Sequence, residues 1–274
     1  MAGPDLYALF GHPVSHSRSP EIHHAFAAQT GETLKYELID VAPEDFESRL
    51  REFFTGGGAG CNVTLPHKLA AFEFADHVSS DAYRAGAVNT LALLEDGSLF
   101  GDNTDGAGLI RDLTVNRDTS IEGRRVLLLG AGGAARGAAG PLLDEGPAEL
   151  VIANRHPGKA MLLAQLFEET GNVRGMSLAS VAGAFDLVIN ATSASLRNEV
   201  PNLPTEIFAA NALAYDMVYA DAPTVFLEWA RGNGAHRVAD GWGMMVEQAA
   251  ESFFVWRGVR PETADLLKGK GGAV

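Results

Sequence analysis

Arg125-Val126-Leu127-Leu128-Leu129-Gly130-Ala131-Gly132-Gly133-Ala134-Ala135-Arg136-Gly137 is the stretch whose reading decides the fold. Four apolar residues follow Arg125 without interruption, which predicts a fully buried strand. Small residues come next, and then an alanine-rich helical pattern. Strand, glycine turn and helix, in that order, open a dinucleotide-binding βαβ unit. Gly130 permits a tight turn at backbone angles closed to other residues. Gly132 has no Cβ, so a pyrophosphate can approach the main chain, and Ala135 lets helix and strand pack closely. The N–H groups opening the helix then face the phosphates, helped by the helix dipole. The competing reading is a tight strand-to-helix turn with no ligand.

Outward from this turn the chain alternates. Leu150-Val151-Ile152-Ala153, Asp186 to Asn190 and Leu213 to Met217 read as further strands, with helices over Lys159 to Thr170 and Thr224 to Arg231. Upstream, Leu6 to Phe10, Tyr36 to Val41 and Cys61 to Thr64 read as strands. Helices are expected to start at Ser19-Pro20, with serine as the N-cap and proline at the first helical position, at Pro43 and at Pro66. Alternation of this kind implies parallel pairing with right-handed crossovers. Val88 to Leu93 and Ser98 to Phe100 flank Asp96-Gly97, which predicts one antiparallel hairpin. A helical pattern runs from Gly106 through Leu109 and Leu113. After Gly241 a longer one runs through Met244, Met245, Gln248, Ala249, Ser252, Phe253 and Trp256. This long helix is too apolar on one side to stand alone and is expected to pack back on the first half. The final Lys268 to Gly272 read as a frayed tail.

The chain has 274 residues, 46% of them hydrophobic, which is enough for one large or two modest domains. Its net charge of −14 repels phosphate backbones and argues against a nucleic-acid partner. Cys61 stands alone, so no intramolecular disulfide can form and a reducing compartment is expected. The eight histidines show no metal-ligand spacing, and adjacent His23 and His24 point in different directions on a helix. The N-terminus lacks the pattern of a signal peptide, and no apolar run is long enough to span a membrane. A soluble cytoplasmic protein is expected.

The second strand of the nucleotide unit bears on the cofactor. In such folds an acid near its end, roughly 20 residues past the glycines, binds the ribose hydroxyls of NAD. Asn154 stands 24 residues beyond Gly130, and the run Asn154-Arg155-His156-Pro157-Gly158-Lys159 contains no acid. Arg155 and Lys159 are cationic and suit a 2′-phosphate, which predicts NADP. Their alternative is a pair of solvated charges at a helix start.

Three polar clusters in the first half are candidate sites. Ser15-His16-Ser17-Arg18-Ser19-Pro20 places hydroxyls at a helix N-terminus, suited to a carboxylate or phosphate; simple capping by Ser19 explains it equally well. Asn62-Val63-Thr64-Leu65-Pro66-His67-Lys68 delivers Thr64 from a strand end and Lys68 from the next helical turn, although a lone lysine is usually a solvated charge. Gly101-Asp102-Asn103-Thr104-Asp105-Gly106 is polar and compact, and also consistent with a surface turn. Asn89 sits in an otherwise apolar strand and needs a partner if buried, which a ligand hydroxyl would supply.

Together with Gly86-Ala87-Val88-Asn89-Thr90, Tyr215-Asp216-Met217-Val218-Tyr219 and Asp240-Gly241-Trp242-Gly243-Met244, these clusters resemble the shikimate dehydrogenase family, in order and over nearly the whole chain. The resemblance implies an α/β fold of two domains separated by a cleft. One is an N-terminal substrate-binding domain with a mostly parallel sheet over 1–105, completed by C-terminal helices in 241–274. The other is a Rossmann-like NADP-binding domain over 106–240. It implies reversible reduction of 3-dehydroshikimate to shikimate by NADPH, in chorismate and aromatic amino-acid biosynthesis, by a monomer or homodimer. Lys68 matches the catalytic lysine and Asp105 the acid paired with it. Ser17 and Ser19 match the hydroxyls holding the substrate carboxylate, while Thr64, Asn89, Asp105, Tyr219 and Gln248 match substrate contacts. Gly130, Ala131, Gly132, Gly133 and Ala134 match the pyrophosphate loop. Asn154, Arg155, His156 and Lys159 fall on the adenosine-phosphate clamp, and Met217 and Gly241 on positions near the nicotinamide. The family commonly has threonine where this chain has His156, so the strength and pH dependence of NADP preference rest on an imidazole. The alternatives are a quinate/shikimate dehydrogenase of broader substrate and cofactor range, and a non-catalytic nucleotide sensor. Loss of Lys68 or Asp105 would favour the sensor, and both residues are present.

Overall fold

The computed structural model describes residues 4–268 and divides into two compact units. The first comprises 4–108 and Val246–Leu266, the second Leu109–Met245 with 267–268. Beyond Lys268, the expected tail lies outside the described residues.

The first unit is built on a six-stranded sheet of order β2-β1-β3-β5-β6-β4. Its strands are β1 (Asp5–Gly11), β2 (Leu34–Asp40), β3 (Gly58–Val63), β4 (His77–Val78), β5 (Thr90–Leu93) and β6 (Leu99–Asp102). β1 pairs in parallel with β2 and β3, and β4 with β6, whereas β5 runs antiparallel to both its neighbours. The β5–β6 hairpin turns through Gly97, whose φ of 84° a side chain rarely adopts. The helices are α1 (Ser19–Thr30), α2 (Phe46–Thr55), α3 (Lys68–Phe74), α4 (Ser80–Ala85), and the start of α5 (Asp105–Arg111). Most of α9 (Trp242–Arg257) and of α10 (Ala264–Lys268) also belong to this unit. One core cluster joins Phe10, Phe46, Leu50, Val63, Val88 and Leu91. Trp256 of α9 donates to the Leu91 carbonyl at 2.9 Å.

Ser19 is not the N-cap of α1. It is the first helical residue, and its N–H donates to the Ser17 hydroxyl at 3.2 Å. Proline is tolerated at either of the first two helical positions because its missing N–H would be unpartnered there anyway, so Ser-Pro does not fix the start to one residue. Pro43 takes the first position of a short 3₁₀ turn ahead of α2, whereas Pro66 lies outside its helix, before the N-cap His67 of α3.

His23 of α1 is wholly buried, stacked on Tyr36 with ring centroids 4.5 Å apart and close to Phe26, Phe253 and Trp256. Neither ring nitrogen has a partner in good geometry among the described residues. The nearby Asn62 is committed to Tyr36, Asn89, Thr90 and Ser252. Burial pushes the imidazole down to about 3. The unfolded chain therefore binds a proton at this residue below pH ~6.5 that the folded chain refuses until about 3. Stability falls as pH drops through that window, by up to about 1.4 kcal/mol per pH unit from this residue. His23→Phe is expected to flatten the fall in urea-unfolding free energy between pH 6 and 4 by about that amount. An unchanged slope would contradict this account.

The second unit holds an all-parallel sheet: β7 (Arg125–Leu129), β8 (Glu149–Asn154), β9 (Val173–Ser177), β10 (Phe185–Asn190), β11 (Phe208–Asp216) and β12 (Arg237–Asp240). Their order is β12-β11-β10-β7-β8-β9, so chain order reverses between β7 and β10. That is the doubly wound dinucleotide order, with its switch point beside the first strand. Alternation along each strand feeds two cores. Val126, Leu128, Leu150, Ile152 and Ile189 meet α6 (Gly133–Asp144) and α7 (Pro157–Gln165) on one face. Leu127, Leu129, Val151 and Val188 meet α8 (Val225–Gly232) on the other. α7 ends at Gln165, five residues before the expected Thr170. Gly175 of β9 is required by packing, since a Cβ there would lie 2.3 Å from the Ala160 backbone of α7.

Candidate active site

In the first unit, Lys68 opens α3 and Asp105 opens α5. The Lys68 ammonium donates to Asp105 Oδ2, and the two side chains are only 13% and 9% exposed. Asp105 Oδ1 accepts from Asn89 Nδ2 at 2.9 Å, so both carboxylate oxygens are engaged. Asn89 is held in turn: its Oδ1 accepts from the Thr104 N–H and from the Thr90 hydroxyl, each at 2.9 Å. That fixes which end of the amide faces Asp105. Gln248 Oε1, from α9, lies 3.2 Å from Asn89 Nδ2. Residues far apart in sequence thus converge on one carboxylate.

Ser17 and Ser19 also meet, the Ser17 hydroxyl donating to that of Ser19 at 3.1 Å. The Tyr36 hydroxyl donates to Asn62 Oδ1 at 2.8 Å. Asn62 Nδ2 reaches the Asn89 carbonyl and, at 2.9 Å, the Ser252 hydroxyl. A buried polar path therefore runs from Tyr36 through Asn62 and Asn89 to Asp105. Thr64 lies at the end of β3, its methyl pressed against Gly11, where a Cβ would sit 2.4 Å away. His67, next to Lys68, is buried, stacked 4.5 Å from Phe46, with Nε2 at 2.8 Å from the Val41 carbonyl. Burial holds its imidazole below the usual range, which suits a packing role.

Sequence reasoning missed Tyr36 and Ser252 as site-supporting residues, and placed Asn62 and Thr104 in candidate clusters without giving either a role. The signal for Asn62 and Ser252 is a polar residue among apolar neighbours on a strand or helix.

In the second unit, the glycine turn lies at the switch point. Gly130 has φ 115°, donates its N–H to the Ala153 carbonyl at 2.8 Å, and leaves only 3.0 Å between a notional Cβ and the Ala191 carbonyl. Gly132 differs: its backbone is extended, and nothing lies within 4 Å of a Cβ there or at Gly133. The protein's own packing does not demand glycine at these two positions, whereas a phosphate on the main chain does. No side chain caps α6, so its first N–H groups remain available, and Ala131 and Ala134 flank them. Asn154 ends β8 and donates to the His156 carbonyl at 3.2 Å. Arg155, His156 and Lys159 are exposed around the start of α7, with no acid among them. These features fit a phosphorylated dinucleotide.

Asp216 ends β11 wholly buried, accepting from Asn190 Nδ2, the Val218 N–H, Ser195 and Thr224 at 2.6–3.1 Å. Burial pushes its carboxyl up, and the four donors draw it back. Met217 follows, its carbonyl against Gly241, where a Cβ would come within 2.2 Å. The Tyr219 and Trp242 rings are 5.9 Å apart. Among the described residues no His, Cys, Asp and Glu cluster could hold a metal, and no helix is long and apolar enough to cross a membrane. Cys61 is buried in β3.

A Rossmann-type sheet with an open glycine turn, joined in one chain to a separate α/β unit carrying a buried lysine–aspartate pair, defines a dinucleotide-dependent dehydrogenase architecture. Family models agree over most of the chain. Residues 9–91 match the shikimate dehydrogenase substrate binding domain, 112–199 shikimate / quinate 5-dehydrogenase, and 241–268 the shikimate 5′-dehydrogenase C-terminal domain. A shikimate dehydrogenase (NADP(+)) of Alkalilimnicola ehrlichii is 53% identical, covering 96% of this chain and 97% of its own. Among solved structures, shikimate 5-dehydrogenase from Thermus thermophilus, in complex with NADP(H) and shikimate, superposes with TM-score 0.85 at 34% identity, covering 97% and 98% of the two chains. A 5-ketofructose reductase of Gluconobacter gives 0.83 at 29%, covering 97% of each. The chain belongs to the shikimate dehydrogenase family.

Proposed function

We propose that this protein is an NADP-dependent shikimate dehydrogenase, interconverting 3-dehydroshikimate and shikimate. The observation that carries the reading is the buried Lys68–Asp105 pair, with Asp105 gripped from its other side by Asn89. NADPH, when bound, supplies the hydride for the ketone carbon. Lys68 gives the ketone oxygen its proton in that direction and takes it back in the other, as a positioned acid–base group. Asp105 orients the ammonium and keeps it from swinging to solvent. Ser17 and Ser19 hold the substrate carboxylate through charge-assisted hydrogen bonds. Thr64, Asn89, Tyr219 and Gln248 contact the rest of the substrate.

Gly130 to Ala134 and the N-terminus of α6 would hold the pyrophosphate, with Asn154, Arg155, His156 and Lys159 on the adenosine 2′-phosphate and Met217 and Gly241 near the nicotinamide. The same reading makes this a cytoplasmic enzyme of chorismate and aromatic amino-acid biosynthesis, working on a small molecule as a monomer or homodimer. Support comes from relatives more than half identical over nearly their whole length.

The test is an assay of the purified chain with shikimate and quinate, each with NADP and with NAD. Shikimate with NADP is expected to turn over best. Comparable rates with quinate would point to the broader enzyme, and no turnover with either would defeat the dehydrogenase reading. Arg155→Ala is expected to raise KM for NADP about tenfold, the scale of one charge-assisted contact, and hardly change that for NAD. Equal effects on both would reject the phosphate clamp.

A further inference from the structure

Asp216 is a buried carboxylate to which the mechanism above gives no task. Its four donors come from the ends of two adjacent strands and the loops beyond them. Asn190 ends β10, Ser195 lies in the loop after it, Val218 is two residues on from Asp216, and Thr224 caps α8. Asn190 extends the hub, its Oδ1 accepting from both the N–H and the hydroxyl of Thr192. The segments 190–195 and 216–224 therefore fold around one charge. Burying that charge costs free energy, so the core alone does not account for it.

Two backbone points adjoin this hub, and the first of them borders the glycine turn. One is Ala191, whose carbonyl Gly130 must clear and whose N–H donates to the Leu129 carbonyl at 2.9 Å. The other is Met217. Its N–H donates to the Asn190 carbonyl at 3.0 Å, the peptide after it is turned by the Val218 bond to Asp216, and its carbonyl abuts Gly241. Met217 and Ala191 also pack on the same apolar cluster as Ala131.

We propose that Asp216 is a positioning residue for the nicotinamide end of the dinucleotide site, setting the Met217 and Ala191 main chain against which that ring lies. This rests on the dinucleotide reading above, and it assigns Asp216 no contact with the cofactor. Asp216→Asn keeps the shape but removes the charge, and its NH₂ takes one acceptor away either from Asn190 Nδ2 and the Val218 N–H or from the Ser195 and Thr224 hydroxyls. The hub then loosens at Met217, while Arg155, Lys159 and the start of α6 are untouched.

The experiment measures dissociation constants of NADPH, by its fluorescence, and of adenosine 2′,5′-bisphosphate, by competition, on the full chain. The second ligand has the phosphorylated adenosine but no nicotinamide. Asp216→Asn is expected to weaken NADPH at least tenfold and leave the bisphosphate within twofold. Equal weakening of both would make Asp216 a general fold residue and overturn the proposal, as would no change in either. Should Asp216→Asn not fold, Thr224→Val removes one donor. It is expected to weaken NADPH about threefold, again selectively, with Thr224→Ser restoring wild-type affinity. Unselective loss, no loss, or failure of serine to restore would each overturn the proposal. Failure of the wild type to bind NADPH would overturn the dinucleotide reading itself and is seen before any variant is made.

Discussion

Lys68→Ala is expected to lower kcat by about 10²–10⁴, the scale of a lost general acid–base group, while KM for shikimate stays within a factor of about three. The split follows from the geometry. Lys68 has its nearest fixed charge in Asp105, and the groups assigned to the carboxylate end of the substrate, Ser17 and Ser19, are hydrogen-bonded to each other. Removing the ammonium leaves that anchoring intact. It also leaves the Asp105 carboxylate with Asn89 Nδ2 on one oxygen and no cation on the other. A Lys68→Ala enzyme with near wild-type kcat would show that another group moves the proton. Lys68→Arg keeps the charge but holds its proton far more tightly, so it is expected to recover little of the rate.

The glycine turn offers the second large effect, because two glycines only two residues apart are required for different reasons. Gly130 has φ 115° and its notional Cβ faces the Ala191 carbonyl at 3.0 Å. Gly130→Ala should therefore destabilise the fold by about 1–3 kcal/mol, lowering Tm by several degrees. Gly132 has an extended backbone and open space around it. Gly132 is the N-cap of α6, where alanine is poorer than glycine by up to about 1 kcal/mol, so Gly132→Ala should lower Tm by no more than about 3 degrees. It should nonetheless raise the NADPH dissociation constant roughly 100-fold, about 2.7 kcal/mol, by placing a methyl group where the pyrophosphate meets the main chain. Calorimetry and NADPH titration on both variants check the pair. Unaltered NADPH binding in Gly132→Ala would separate the turn from the cofactor.

The turn was legible in the sequence because everything that defines it is local. β7, the glycines and α6 follow one another without a break, and each signal is a period or a small side chain. Strand β9 was not legible: Val173-Arg174-Gly175-Met176-Ser177 is short, only half-buried and shows no alternation. β4 has two residues, too few for any period. The lysine–aspartate pair came from motif resemblance, since no spacing rule brings residues 68 and 105 together. The layer behind it showed only as polar residues without partners, Asn62 and Thr104 among them. Asn62 and Ser252 meet across 190 positions, and only tertiary register decides that Tyr36, Thr90 and Thr104 join them. Asp216 was visible as a motif member, but its task depends on four donors that two loops bring to it.

The divisions between units fall inside α5, α9 and α10, which gives biosynthesis an unusual order. Emerging from a ribosome, the chain has released all of residues 109–245, and with them the glycine turn and its sheet, before Val246 appears. The N-terminal unit begins first but waits for residues 246–266, because Gln248, Ser252 and Trp256 belong to it. A nascent chain halted just short of Val246 would carry Lys68 and Asp105 but not the Ser252 hydroxyl to which Asn62 donates. Competence for chemistry would therefore arrive only with residues 246–266, after the whole sheet of the nucleotide unit has emerged.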